Sequence, residues 1–303
     1  MDASDNLVSE DCLVSGVLEG LENLLVMDLS GNKLTSLPSG SLRGLKAARR
    51  LDLSKNSVAS VSNSLFDHLE GLEDLSLKGN ELSAFAISGL SKSRGLRKLD
   101  LSDNMILSLN STGGVEFPKL EVLKIARNKL QHLDMAPFRK LRKLSLEHNE
   151  VFKLTGESLE NLEELFLRSN RFTKVPDMVR SAKGLRTLDL GLNLINVVEA
   201  DAFEGLDSLG ILRLEDNSIT RVADLVFRST PSLEILNLSG NLISVLTGRT
   251  FEGAGNVRAL RLDSNSVSEV EGVFHSMDHL TWLNMSGNDI EEFDWHFVPY
   301  SLR

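Results

Sequence analysis

The sequence predicts an α/β solenoid with a parallel β-sheet on its concave face and mostly irregular or short-helical convex segments. Two observations predict it. The pattern L-x-x-L-x-L-x-x-N-x-L recurs, as in Leu24, Met27, Leu29, Asn32, Leu34 and again in Leu72, Leu75, Leu77, Asn80, Leu82. Its asparagine falls at Asn32, Asn56, Asn80, Asn104, Asn128, Asn149, Asn170, Asn193, Asn217, Asn241, Asn265 and Asn288, in steps of 24, 24, 24, 24, 21, 21, 23, 24, 24, 24 and 23 residues. Twelve coils therefore share one register over residues 24–290. Residues 1–23 read as a polar N-terminus and partial repeat, and 291–303 as the start of a truncated thirteenth repeat.

Within a coil, the central L-x-L has the period of two that turns both leucines to one face of a strand. The first leucine and the one after the asparagine lie outside the strand, so the coil bends around an apolar interior. No single coil has a core; stacking supplies it. The amide of each asparagine can donate to and accept from the backbone groups freed where the strand ends, which predicts a structural ladder rather than a binding strip. Six residues before the next first leucine stand Phe66, Phe203, Phe227, Phe251 and Phe274, a predicted second spine. Leu42, Leu90, Met135 and Val179 fill that place elsewhere; Gly114 and Gly156 mark coils that close differently, so the irregular stretch falls at roughly 107–180. Reading backward, Leu13, Leu18 and Leu21 fit the outer half of an earlier coil whose strand half is missing. No capping unit is legible at either end, and the chain is expected to be a piece of a longer protein.

Composition narrows the function. The 303 residues carry 33 Lys and Arg against 43 Asp and Glu, a net charge of −10, with 41% hydrophobic residues. That balance describes a folded chain and lacks the basic footprint of a nucleic-acid binder. No apolar run approaches membrane-spanning length, and the first residues have neither a basic nor a long apolar region of a secretory leader. The single Cys12 forms no internal disulfide, and no Cys/His spacing suits a metal. No phosphate loop, nucleophile elbow or paired acid and base occurs; neither enzyme activity, metal nor cofactor is expected.

What remains is surface. The residue between the two strand leucines runs Asp28, Asp52, Ser76, Asp100, Lys124, Ser145, Phe166, Asp189, Arg213, Asn237, Arg261, Asn284. Phe166 and Trp282, directly before Leu283, are large apolar groups on a face expected to meet water, the kind of residue enriched among interface anchors. Asp100, Lys124, Phe166, Arg213, Arg261 and Trp282 are the candidate ligand-binding positions. Three N-x-S/T sequons stand at Asn110, Asn237 and Asn284, the last two on the strand face, and are glycosylation candidates on a secretory route.

The 24-residue unit with its outer-half phenylalanine resembles the leucine-rich repeat class found mainly in extracellular receptors and adhesion proteins, which implies a horseshoe. The segment VRALRLDSNSVSEVEGVFHSMDHLTWLNMSGNDIEEFDWHFVPYSLR resembles the ectodomain of the long arthropod Toll receptors. That resemblance implies a single-pass receptor on the extracellular side of the plasma membrane, a protein ligand of the Spätzle cystine-knot type or another cell-surface protein, a receptor dimer, and a TIR domain beyond this chain. Membrane contact would come only from segments outside it. Another adhesion or receptor protein of the same class, or a cytoplasmic scaffold suggested by the lone cysteine, stays open.

Overall fold

The structure, a computed structural model, describes residues 1–302 apart from 15, 111–113, 157–158 and 293–299. Two compact units, Met1–Val151 and Phe152–Arg303, make up the chain, and each is a parallel-sheet solenoid. In the first, the strands Val26–Asp28, Arg50–Asp52, Asp74–Ser76, Lys98–Asp100, Val122–Lys124 and Lys143–Ser145 pair in chain order, with Met27, Leu51, Leu75, Leu99, Leu123 and Leu144 in register. In the second, Glu164–Phe166, Thr187–Asp189, Ile211–Arg213, Ile235–Asn237, Ala259–Arg261 and Trp282–Asn284 do the same around Leu165, Leu188, Leu212, Leu236, Leu260 and Leu283. From Leu51 to Leu260 these central leucines have no exposed surface. The outer segments hold short 3-10 turns, such as Glu10–Leu13, Ile87–Leu90 and Val226–Ser229, and no α-helix among the described residues. About ten residues of outer arc leave too little chain for one.

The strands stop after three residues because the backbone is forced to turn. The residue before each ladder asparagine has φ between +52° and +67° in every coil: Gly31, Gly79, Gly240 and Gly287 in four, and Lys55, Asp103, Arg127, His148, Ser169, Leu192, Asp216 and Ser264 in the rest. Left-handed geometry crowds a Cβ against the neighbouring carbonyl, costing about 1–2 kcal/mol. Leu192, at φ +52° and 41% exposed, has that strain with little packing to offset it. Leu192→Gly is expected to raise the unfolding free energy by roughly 1 kcal/mol, the relief less the extra freedom of glycine in the unfolded chain. Urea denaturation checks it; a lower midpoint would mean that the Leu192 side chain packs more than its exposure suggests.

One expectation is corrected. The strand half of the earlier coil is present, in residues 1–8. Asp2 bridges Asp28 in parallel, and the Ala3 and Asp5 N–H groups donate to the carbonyls of Asp28 and Ser30. Asp5 is left-handed, and Asn6 donates to the carbonyls of Ala3 and Ser4 as Asn32 does to those of Leu29 and Ser30. Ala3 stands where later coils have Leu, Ile or Met, and the step from Asn6 to Asn32 is longer than any other. The apolar signature is therefore weakened while the polar one is intact.

The outer spine differs between the units. In the second, Phe203, Phe227, Phe251 and Phe274 stack with centroids 6.0, 5.9 and 6.1 Å apart and planes within 13–16°. In the first, Phe66 is buried, and Phe117 stacks on Phe138 at 5.8 Å. Those two rings sit three residues before the first leucine, where earlier coils have Leu45 and Leu69 and the adjoining ones Ser93 and Leu159. Gly114 and Gly156 are exposed and contribute nothing to the spine.

Candidate functional site

The ladder asparagines are inward groups. In the second unit, Asn193 Nδ2 donates to the carbonyls of Leu167, Leu190 and Gly191 at 3.0, 3.0 and 3.1 Å, and its Oδ1 accepts the Phe172 N–H at 3.1 Å. Asn56, Asn80, Asn104, Asn128, Asn217, Asn241 and Asn265 repeat this in their own coils. One amide thus joins two coils and satisfies four backbone groups.

The column between the strand leucines has a structural task as well. The Oδ1 atoms of Asp28, Asp52, Asp100, Asp189, Asn237 and Asn284 accept the N–H two residues on, at 2.8–3.1 Å. This Asx turn bends the chain out of the strand, and a carboxylate or an amide supplies the acceptor equally well. Asp100 and Asp189 are consequently 8% exposed, which corrects their expected place on an open face. The sequons at Asn237 and Asn284 are the asparagine version of the Asp-Leu-Ser seen at Asp28, Asp52 and Asp100. At Asn237, Ser239 Oγ also donates to the sequon oxygen, at 2.8 Å. Both sequon asparagines are half-buried; the side chain of Asn110 lies outside the described residues.

The remaining candidates are three basic side chains paired with acids, and the aromatics Phe166 and Trp282. Lys124 Nζ lies 3.9 Å from Asp100 Oδ2, and Arg213 Nη1 3.9 Å from Asp189 Oδ2. Arg261 donates from Nε and Nη2 to Asp263 at 2.9 and 2.8 Å, which holds the Asp263 carboxyl below its ordinary pKa. Phe166 is half-buried, and Trp282 is 48% exposed. Sequence reasoning missed Arg168, which reaches over Gly191 to pair with Glu215 two coils on and lies 3.7 Å from Asp216. Only a glycine leaves that path open, because a Cβ at position 191 would meet the guanidinium.

The strand margins of the first unit are zipped by charge. Asp74 lies between Arg50 and Lys98 at 3.6 and 3.7 Å, and Asp103 between Lys78 and Arg127 at 3.5 and 3.6 Å. Exposed pairs of this kind contribute little stability each, but they neutralise the surface. Among the described residues no His, Cys, Asp and Glu group could hold a metal, and no helix is long and apolar enough to cross a membrane.

The family of leucine rich repeats matches residues 13–58, 47–106, 94–151, 160–219, 207–267 and 231–290. The chain is 37% identical to fibromodulin of Sus scrofa over 97 residues, 31% of this chain and 63% of that protein. It is 32% identical to Toll-like receptor 4 of Equus caballus over 114 residues, 34% of this chain and 13% of the receptor. It thus spans less than two thirds of these relatives. Its fold is similar to a chain of the Drosophila Toll–Spatzle complex, with a TM-score of 0.72 at 20% identity, covering 92% of this chain and 43% of that one.

Proposed function

Because the chain belongs to the leucine-rich repeat family, a protein–protein recognition domain, we propose that it is the ligand-binding extracellular region of a Toll-like transmembrane signalling receptor. The recognition half of this reading is carried by one observation: the core and the ladder absorb the repeating residues, and the variable ones stand on the strand face. The receptor half is supported by the similarity to Toll-like receptor 4 and by the Toll-like segment from Val257 onward. In this reading an extracellular protein, of the cystine-knot type or on another cell surface, docks on the repeats, a receptor dimer forms, and a TIR domain beyond this chain signals. The sequons at Asn110, Asn237 and Asn284 take glycans. Lys124, Phe166, Arg213, Arg261 and Trp282 are its contact candidates, with Trp282 foremost on exposure, while Asp100, 8% exposed, acts through Lys124.

The similarity to fibromodulin favours a second reading, another adhesion or receptor protein of the same repeat class. Sequencing the transcript on both sides of the Met1 and Arg303 codons separates the two. A secretory leader upstream with a membrane helix and TIR domain downstream is the expected result. An open reading frame with a leader and no TIR domain would replace the first reading by the second.

A further inference from the structure

Two strand-face asparagines of the second unit keep one end of the amide unused. The Oδ1 atoms of Asn237 and Asn284 accept the backbone N–H of Ser239 and Ser286, both at 3.1 Å, whereas their Nδ2 atoms donate to no group among the described residues. The ladder asparagine Asn193, by contrast, commits its Nδ2 to three carbonyls. A planar amide whose oxygen is held in the turn points its nitrogen away from it. Glycosylation joins Nδ2 to the anomeric carbon of a sugar as the sugar's lipid diphosphate leaves and Nδ2 gives up one proton. The amide oxygen stays an acceptor, so the Asx turn survives the attachment.

The surroundings of both asparagines suit a sugar. The two strands that end in Asn237 and Asn284 open on exposed large apolar residues, Ile235 at 40% and Trp282 at 48%. The other four strands of that sheet segment open on half-buried Glu164, Thr187, Ile211 and Ala259. Residues i and i+2 of a strand share a face about 6.6 Å apart, so each apolar side chain lies within reach of a ring carried by its asparagine. Strand pairing sets Arg213 and Arg261 on either side of Asn237, and Arg261 beside Asn284. Arg261 spends Nε and Nη2 on Asp263 and keeps the rest of its five donors. A pyranose has an apolar C–H face and a rim of oxygen acceptors, and both find partners here. Being neutral, it is indifferent to the local charge, in which Asp189, Glu215, Asp216 and Asp263 offset Arg168, Arg213 and Arg261. We propose that the innermost N-acetylglucosamine on Asn284 lays its C–H face on the Trp282 indole, that the one on Asn237 does so on Ile235, and that Arg213 and Arg261 donate to their oxygens. The sugars thus cover the apolar groups that these strands leave in water. This packing rests on the glycosylated, extracellular reading, and Trp282 then meets a protein partner as part of an indole-and-sugar surface.

The test compares the chain made in a secretory host, its glycans trimmed to one N-acetylglucosamine per site, with the bare chain from bacteria. Each is made as parent, Trp282→Ala and Ile235→Ser, and mass spectrometry shows which asparagines are occupied. The sugars are expected to raise the melting temperature of the parent by about 2 °C. At least half of that gain is expected to vanish in Trp282→Ala and part of the rest in Ile235→Ser, while the bare variants melt as the bare parent does. This cycle isolates the contact from the substitution itself. Nuclear Overhauser contacts between indole and sugar ring protons are expected in the parent. An equal gain in all three, with no such contacts, would overturn the packing and leave the extracellular reading standing. Unoccupied Asn237 and Asn284 in the secreted chain would overturn the packing together with the glycans of that reading.

Discussion

Asn193→Ala is expected to lower the unfolding free energy by roughly 3–5 kcal/mol, a large share of the ~5–15 kcal/mol that holds a domain together. The side chain is 5% exposed and serves four backbone groups, from Leu167, Leu190, Gly191 and Phe172. Alanine strands the Phe172 N–H, which costs about 1–3 kcal/mol, and takes one donor from each of three carbonyls that keep a second, from Asn170, Asn217 and the Ser169 N–H, at about 0.5–1.5 kcal/mol per lost bond. Asn193→Asp sharpens the test. It keeps the shape and the acceptor but replaces the donors with charged oxygen facing three carbonyls, so it is expected to destabilise at least as much. Urea denaturation followed by circular dichroism measures both. A loss under about 1 kcal/mol would show that the strand ends relax or admit water, and the ladder would then be no framework.

Phe227→Ala is the second large effect, about 3–5 kcal/mol from the cavity. Phe227 is fully buried and stacks on both Phe203 and Phe251. Each ring contact adds about 0.5–1.5 kcal/mol beyond buried area. Phe274→Ala, which loses a single described ring contact, is expected to cost less. Equal losses for the two would mean that ring geometry contributes nothing beyond volume.

The repeat register was legible because the leucines and the asparagine recur at fixed offsets and each serves one place in every coil. Where a position can be filled in more than one way, the sequence was harder to read. The first rung went unseen because Ala3 stands in place of a large apolar residue and the spacing to Asn32 departs from the rest, although Asp2, Asp5 and Asn6 make the same turn as later coils. The left-handed residue before each asparagine hides because six different side chains are tolerated there beside glycine, their strain offset by the ladder. The Asp and Asn of the strand column read as side chains of an open face. Their Asx turn needs only an acceptor oxygen, and that chemistry is indifferent to charge. Phe117 and Phe138 exchange places with Leu45 and Leu69 in the same apolar row, so stacking there depends on two consecutive coils choosing rings.

The candidate site was legible as residues and not as a surface. Trp282 stood out by its size on a strand face. That Ile211, Ile235, Ala259 and Trp282 are register partners needed the strand pairing, and the low exposure of the Asp189 and Asp263 carboxylates beside Arg213 and Arg261 needed coordinates. Arg168 and Glu215 lie too far apart in sequence for spacing to connect them.

Residues that build the coil are distinct from residues held out for a partner, and Trp282 tests that division most directly. The unfolding free energy of Trp282→Ala is predicted to stay within about 0.5 kcal/mol of the parent, as for a surface side chain outside the core. A loss of about 2 kcal/mol or more would place the indole among the groups that hold the last coils together, and would contradict its role as an anchor kept for another protein.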